Sequence, residues 1–443
     1  MSSQYYPLPY VTDTSGYFAC IQAAPGAIWL DSGRPHCTSG RYDICSAWPS
    51  RQLQLQPNES TGEFLIRTRA MLHTLPAEAC PVADLPFTGG LLGYLAYSAG
   101  VPKSRHASQL VPASIGLYPW ALINDHQSQR TGLICHSSVP AARQQQLVAL
   151  FNPSAPKTTE TFTLSQPFQA QIQPDEYQAA IARIQSLIEQ GECEQVNFAQ
   201  SFNSYYQGDP WQAYLSLRAV CPTPYASFIR LGAQDAVLSA SPECFLQAQQ
   251  QQVRTYPIKG TRPRGATALL DKQLADELRN SDKDQRENLM IVELMLQELL
   301  QCCHPDTLHT PQLCQLESFA NVHHLVSCIT GQLSQDKDAL DLLQHCFPAG
   351  SISGTPKNSV IEVIDMLEAD SREVYCGSVF YLSNHGQFDS SVTIRTLLAQ
   401  DGLLRCWGGG GITQGSDWQA EYQESIDKVS VLMRCLEEAH LVR

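Results

Sequence analysis

The sequence is short of positive charge: 29 Lys and Arg stand against 43 Asp and Glu, a formal net charge of -14 over 443 residues. That balance gives no long-range attraction for nucleic acid or an anionic membrane, so neither is expected as a partner, and a small anionic substrate needs the scarce positive charge gathered locally. Metal-binding cysteine spacing is also lacking. The 16 cysteines contain no C-x-x-C pair, and Cys302-Cys303 beside His304 reads as neither a zinc site nor a disulfide framework. The opening MSSQYYPLPYVTD has no basic flank followed by an apolar stretch, so the expected setting is the reducing cytoplasm with free thiols. Long hydrophobic runs are missing too. LPFTGGLLGYLAYSAGVP carries no charge between Asp84 and Lys103, but its glycines, prolines and hydroxyl residues make it a buried, turning segment and not a membrane span. No internal repeat is visible.

What is present is a globular composition, 43% hydrophobic, long enough for one large or two ordinary domains. A stretch rich in Pro, Thr and Gln, residues 152–174, separates an N-terminal region (1–151) from a C-terminal region (175–443) and reads as a connection. Just beyond it, Tyr177, Ile181, Ile184 and Ile188 recur at helical spacing until Gly191, after the early acids Asp175 and Glu176. QVNFAQSF, AVLSASPECFL and VRTYPIKG read as strands, as do GSVFYL, DSSVTIRTLL and LLRCWG, with Asn384-His385-Gly386 and Asp401-Gly402 as hairpin turns. Helical patterns cover DQRENLMIVELMLQELLQ, KNSVIEVIDMLEA and EYQESIDKVSVLMRCLEEA. The fold class is therefore α+β with antiparallel sheet.

Asp284 and Glu287 share a face of one expected helix, and Glu421 and Glu424 share a face of another. Each pair alone is an ordinary solvated surface; together they can hold a hard cation such as Mg2+, which prefers oxygen ligands. Lys428, one turn beyond Glu424, is either an ion-pair partner or a substrate clamp. FPAGSISGTPK does not fit a phosphate-binding loop, because Gly350 to Lys357 breaks the spacing and Pro356 removes an amide donor. GGGGITQG, Gly408 to Gly415, reads as a flexible turn or as a place where successive glycines let backbone amides approach a carboxylate. Arg395 in SVTIRT is expected on one strand face with Thr393 and Ser391, either at the surface or gripping a carboxylate. Lys259 in YPIKGTRPR is a basic loop residue by default.

Taken in order, SPECFL, PIKGTRPR, DKDQRENLMIV, VHHLVS, FPAGSISGTPK, YCGSVFYL, DSSVTIRT, GGGGIT and EYQESIDK resemble the chorismate-utilising family from about Pro174 to the end. DLPFTGGLLGYLAY and LYPWALINDH extend the likeness into the N-terminal region, which is similar to that of the family's aminating synthase components. The resemblance implies two antiparallel sheets packed as a sandwich with helices outside, the two regions forming one unit. It further implies Mg2+ on the ring carboxylate of chorismate, with Glu287 and Glu424 as principal carboxylates and Glu421 and Asp284 in support. Arg395, Tyr375 and Lys428 match positions that hold substrate carboxylates, Gly410 and Gly411 match a loop of backbone donors, and Thr261 and His324 match further active-site positions. Glu243 matches a general acid, a role that needs a proton retained near neutral pH by burial.

Two positions select a branch. Members that add water carry a lysine base where this chain has Gln195, which disfavours water attack. Where anthranilate-forming members usually carry alanine, this chain has Lys259, as do members that aminate chorismate at ring carbon 4 through a covalent lysine. Such a lysine must be activated, because at a pKa of roughly 10.4 only about one molecule in 2,500 is neutral at pH 7. Burial behind Pro257 and Ile258, or the charges of Arg262 and Arg264, can lower that pKa. No cysteine lies in a glutaminase-like motif, so the resemblance implies ammonia from a separate glutamine amidotransferase subunit, with free ammonia as the fallback. LDSG and GRYDI resemble parts of a tryptophan site found in the N-terminal region of relatives. The alternatives are an anthranilate-forming component and a non-catalytic relative that only binds the amidotransferase; the latter should have lost the carboxylates or the lysine.

Three departures stand out. LQELLQCCHP replaces the usual Arg-Asn-Asp-Ile/Leu-Gly-Arg after the metal helix, Gly415 replaces an Asp after the glycine run, and Ser98 replaces an Asp in the GYxxYD pattern. They bear on helix termination and loop support.

Overall fold

The computed structural model describes residues 2–101, 104–151, 161–318 and 322–442. Among them the chain forms two antiparallel sheets, of thirteen and ten strands. Both draw strands from either side of the connection. In the larger sheet Ile28–Asp31 pairs with Tyr225–Arg230, and in the smaller one Gly90–Leu95 pairs with Ser378–Ser383. The LPFTGGLLGYLAY segment supplies that Gly90–Leu95 strand, buried at every residue, and no described helix is long and apolar enough to cross a membrane. Of the connection, residues 152–160 lie outside the described residues; the rest is not plain linker, because Thr163–Leu164 and Gln169–Ala170 add to the Gln195–Gln207 strand.

Strands of the larger sheet are apolar on both faces, and the period of two sorts them into two cores. Val237 and Leu398 point into the core shared with the smaller sheet, where Leu92, Leu246 and Phe380 pack, while Leu238, Leu397 and Ala399 point to a second core under the helices. Trp29, Trp211, Tyr214 and Phe228 fill that second core with Val429, Leu432 and Leu436 of the C-terminal helix. At about 25 cal/mol per Å2 of apolar surface buried, such double-faced burial is what holds the central strands in place.

The expected helices form. Pro174–Glu189 opens with a capping box of Gln173 and Glu176. Asp282–Leu299 is capped by Ser281, Lys357–Leu367 follows Pro356, and Trp418–His440 is capped by the Asp417 side chain on the Ala420 N–H. The LQELLQCCHP departure does not break its helix, which runs to Leu299 and buries Met295, Glu298 and Leu299.

Of GGGGITQG, only the end at Gln414 and Gly415 is a turn, and the glycine run itself is strand. Gly408 to Gly411 lie inside the Leu403–Ile412 strand, paired with Gln195–Gln207 in the register Asn197 with Gly411. A Cβ on Gly408 would sit 1.9 Å from the Ser425 carbonyl oxygen, so glycine there lets the C-terminal helix lie directly on the strand.

Candidate active site

Two strand patterns that look continuous in sequence are broken where the chain crosses between sheets. AVLSASPECFL splits into Ala236–Ser241 in the larger sheet and Cys244–Gln249 in the smaller, leaving Glu243 at the crossing. DSSVTIRTLL likewise splits into Phe388–Val392 and Thr396–Gln400, leaving Arg395 at a second crossing with φ 49°. Arg395 thus does not share a strand face with Ser391 and Thr393, as alternation predicted; the left-handed turn of the corner sets its direction. The crossings lie side by side, with Val392 N–H donating to the Glu243 carbonyl at 3.1 Å and Ala240 N–H to that of Arg395 at 3.0 Å.

Lys259 lies on the Ile258–Pro263 strand opposite Leu325. Its Nζ donates to the backbone carbonyl of Ser351 at 2.8 Å, and the Ser351 hydroxyl donates to Glu243 Oε1 at 2.7 Å. One buried serine therefore meets both expected bond-making residues. Burial lowers the Lys259 pKa below the usual lysine value, Glu287 and Glu243 oppose that, and Lys428 assists it. Arg262 and Arg264, expected to help, face away: Arg262 pairs with Glu277 and Asp284, and Arg264 with Asp271. Burial raises the Glu243 pKa, against the Ser351 hydrogen bond and the charges of Lys259 and Lys428. Environment thus pushes the amine toward neutrality and the carboxyl toward retaining its proton.

The acidic residues divide. Glu287, on the Asp282–Leu299 helix, and buried Glu421, on the C-terminal helix, both have pKa values raised first by burial, Glu287 further by Asp284 and Glu421, and Glu421 further by Glu424. Glu424 is held below the usual range against its burial, chiefly by Lys428 at 2.7 Å. Gly410 sits under this group: a Cβ there would be 3.0 Å from Glu421 Oε2 and 3.7 Å from both Glu424 Oε1 and Lys428 Nζ. Asp284 is instead engaged by Arg262 at 3.3 Å, tying the Lys259 strand to the helix. Among the described residues no three Asp, Glu, His or Cys side chains converge as a ready cage for a metal. A magnesium site needs less, since one or two carboxylates completed by water and substrate oxygens suffice. Carboxylates that raise one another's pKa are a donor set that a hard cation fits.

Thr261 Oγ1 and His324 Nδ1 are 2.9 Å apart across paired strands. His324 has its pKa lowered to about 4 by burial, with Arg395 and His323 adding to the effect, so it is neutral at ordinary pH. Arg395 makes no ion pair among the described residues, which leaves a guanidinium near His324 available for an anion. Tyr375 is buried and stacked on Trp407, ring centroids 6.2 Å apart and 8° from parallel. Gln195 is buried with its amide oxygen unpartnered, and Gly411 makes room for it, since a Cβ there would lie 1.9 Å from Gln195 Nε2. Glycine at 411 thus clears space for a side chain, and Gly410 and Gly411 stand in a strand instead of the expected loop.

Ser351 was not singled out from sequence. Its segment, FPAGSISGTPK, fails as a phosphate loop, and that test says nothing about a serine that bridges two other side chains.

Behind the wall that carries Glu243 and Lys259 lies a cavity of about 580 Å3, lined among others by Leu30, Tyr42, Tyr225 and by the chain neighbours Cys244 and Ile258. Asp31 of LDSG also borders it, but its carboxylate is taken by Arg218 at 2.9 Å and the Tyr214 hydroxyl at 2.9 Å.

Residues 26–434 match the family described as chorismate binding enzyme. The chain is 40% identical over 448 residues to aminodeoxychorismate synthase component 1 of Klebsiella aerogenes, covering 97% of this chain and 98% of that one. It is 30% identical over 457 residues to anthranilate synthase component 1 of Mycolicibacterium smegmatis, covering 96% and 86%. The crystal structure of anthranilate synthase component I from Streptococcus pneumoniae TIGR4 superposes with a TM-score of 0.77 at 24% identity, covering 90% of this chain and 93% of that one.

Proposed function

The chain belongs to the chorismate binding enzyme family, and we propose that it converts chorismate and ammonia to 4-amino-4-deoxychorismate, in keeping with a 40%-identical relative named aminodeoxychorismate synthase component 1. The observation that carries the reading is the shared serine: the Lys259 amine and the Glu243 carboxyl both bond to Ser351, at 2.8 and 2.7 Å. The neutral Lys259 amine attacks ring carbon 2, the ring double bonds shift, and the carbon 4 hydroxyl leaves as water with the proton of Glu243. Ammonia then forms its bond at carbon 4, the double bonds shift back, and the bond from carbon 2 to the lysine nitrogen breaks. The proton that the ammonia nitrogen sheds on bonding to carbon 4 returns to Glu243; net, an amino group replaces the hydroxyl, water is released, and Lys259 and Glu243 are both regenerated.

Arg395 supports this as a carboxylate anchor, and neutral His324 with Thr261 supplies hydrogen bonds that add no charge. The unpartnered Gln195 amide oxygen is an acceptor for ammonia and, unlike a lysine, is no base for water. Glu287 and Glu424, with Glu421, are the residues that would hold Mg2+. That ion would supply charge neutralisation for the ring carboxylate. Ammonia would come from a glutamine amidotransferase subunit in the cytoplasm, in keeping with relatives whose names call them component 1. The test is product formation from chorismate and ammonium, with and without Lys259.

The cavity behind the catalytic wall favours a second ligand, tryptophan, because it borders LDSG and GRYDI. With Asp31 occupied by Arg218, the carboxylate for its ammonium group would be Asp389, which also lines the cavity and whose pKa burial raises to about 7. Titration calorimetry with tryptophan checks this; no heat, or binding unchanged in Asp389→Asn, would count against it.

A further inference from the structure

Ser351 can serve two partners only if its loop is held still, and the residues that hold it lie away from the expected chemistry. Its neighbour Ile352 is fixed on one side: the Ile352 carbonyl accepts from Asn197 Nδ2 at 2.8 Å and from Arg372 Nη1 at 3.0 Å. On the other side stand Glu298 and Lys357. Lys357 Nζ lies 2.5 Å from Glu298 Oε1 and donates to the Cys346 carbonyl at 3.0 Å, so this one ammonium joins the metal-helix end to both ends of the 346–357 segment. The segment packs tightly there, since a Cβ on Gly350 would be 2.6 Å from Leu294 Cδ2 and 3.7 Å from Glu298 Oε1.

We propose that the buried Glu298–Lys357 ion pair is a positioning device that seats Ser351 against Lys259 and Glu243, so that it governs turnover from outside the catalytic centre. The inference rests on the amination reading above. Three observations carry it. Glu298 is 8% exposed and no other described group hydrogen-bonds either of its carboxylate oxygens, so Lys357 is its only means of keeping a charge there. Burial accordingly raises its pKa to about 7 even with Lys357 opposing. Second, the pair bridges the Asp282–Leu299 helix, which carries Glu287, to the start of the Lys357–Leu367 helix, so one contact sets both the acidic residues and the serine in register. Third, Glu298 sits in the last turn of the Asp282–Leu299 helix with its carboxylate facing Lys357, so a shift at this helix end is passed directly to the serine segment.

The experiment uses the full chain with saturating chorismate, Mg2+ and ammonium. Lys357→Met and Glu298→Gln should each lower kcat by tenfold to about a hundredfold, the scale of a small misplacement of reacting groups, while KM for chorismate stays within about twofold. Adding Ser351→Ala to Lys357→Met should cost little more, because the serine is already misplaced. Additive losses, or a fall in thermal midpoint with kcat unchanged, would overturn the proposal. Should Lys357→Met not fold, Glu298→Asp and Lys357→Arg keep both charges and change only their reach; a kcat lowered severalfold in each supports the device, and an unchanged kcat in both overturns it. Product formation by the unmodified protein tests the amination reading separately.

Discussion

Lys259 and Glu243 are joined through one serine: Ser351 takes a hydrogen bond from the amine on its carbonyl oxygen at 2.8 Å and gives one to the carboxyl from its hydroxyl at 2.7 Å. The backbone contact survives any side-chain change at 351, and the hydroxyl contact does not. The two halves of the relationship can therefore be separated by mutation.

Ser351→Ala should leave Lys259 seated and release Glu243 from the bond that holds its pKa down, so the carboxyl keeps its proton to higher pH. If Glu243 is the acid, activity is lost as pH rises through its pKa, and the variant should lose it at higher pH than the unmodified protein. The kcat profile against pH with ammonium checks this, and an alkaline limb that stays put contradicts it. The loss in kcat at the optimum should be about tenfold, as for one hydrogen bond to a charged or charging group.

His324 bears on acid stability. Its folded pKa of about 4 lies below the 6.5 of an ordinary histidine, so the unfolded chain binds the proton first. The stability that goes with a neutral buried imidazole is fully present above about pH 6.5 and is lost as pH falls toward 4, by roughly 3 kcal/mol at most. Urea midpoints across that range should fall more steeply for the unmodified protein than for His324→Gln, and parallel curves would contradict the assignment.

The glycines separate fold from site. Gly408→Ala meets a backbone oxygen that cannot yield, so it should destabilise the protein by more than about 3 kcal/mol. Gly411→Ala meets only the tip of Gln195, so the fold should survive while ammonium-dependent turnover falls. Adding Gln195→Ala to Gly411→Ala should relieve the clash and cost little further; thermal melts and kcat on the three variants check this.

Magnesium dependence should map onto the acidic residues unequally. Glu287→Gln and Glu424→Gln should raise the Mg2+ concentration for half-maximal turnover by tenfold or about that. Asp284→Asn, whose partner is Arg262, should shift it far less. Equal shifts in all three would place Asp284 among the ligands.

Helices such as Asp282–Leu299 and hairpins at Gly386 and Gly402 were legible because a local period and turn residues encode them. The positions of Glu243 and Arg395 were not. Strands apolar on both faces carry the same alternation across a sheet crossing, so the break at Pro242 and at residues 393–395 depends on which sheet each half joins. GGGGITQG left a flexible turn and an approach of backbone amides to a carboxylate both open, because the use of Gly408 and Gly411, close approach of a helix and a glutamine, lies in contacts distant in sequence. Arg262 and Arg264 looked like activators of Lys259 by proximity along the chain, yet each is taken by acidic partners, Arg262 by Glu277 and Asp284 and Arg264 by Asp271. Ser351 escaped for a similar reason: a bridging serine has no spacing signature.

The central claim is that Lys259 forms the bond that decides the product. Purified protein with chorismate, Mg2+ and high ammonium should yield 4-amino-4-deoxychorismate with the enolpyruvyl group retained, and Lys259→Ala should abolish it. Formation of anthranilate with release of pyruvate, or undiminished product from Lys259→Ala, would contradict the account.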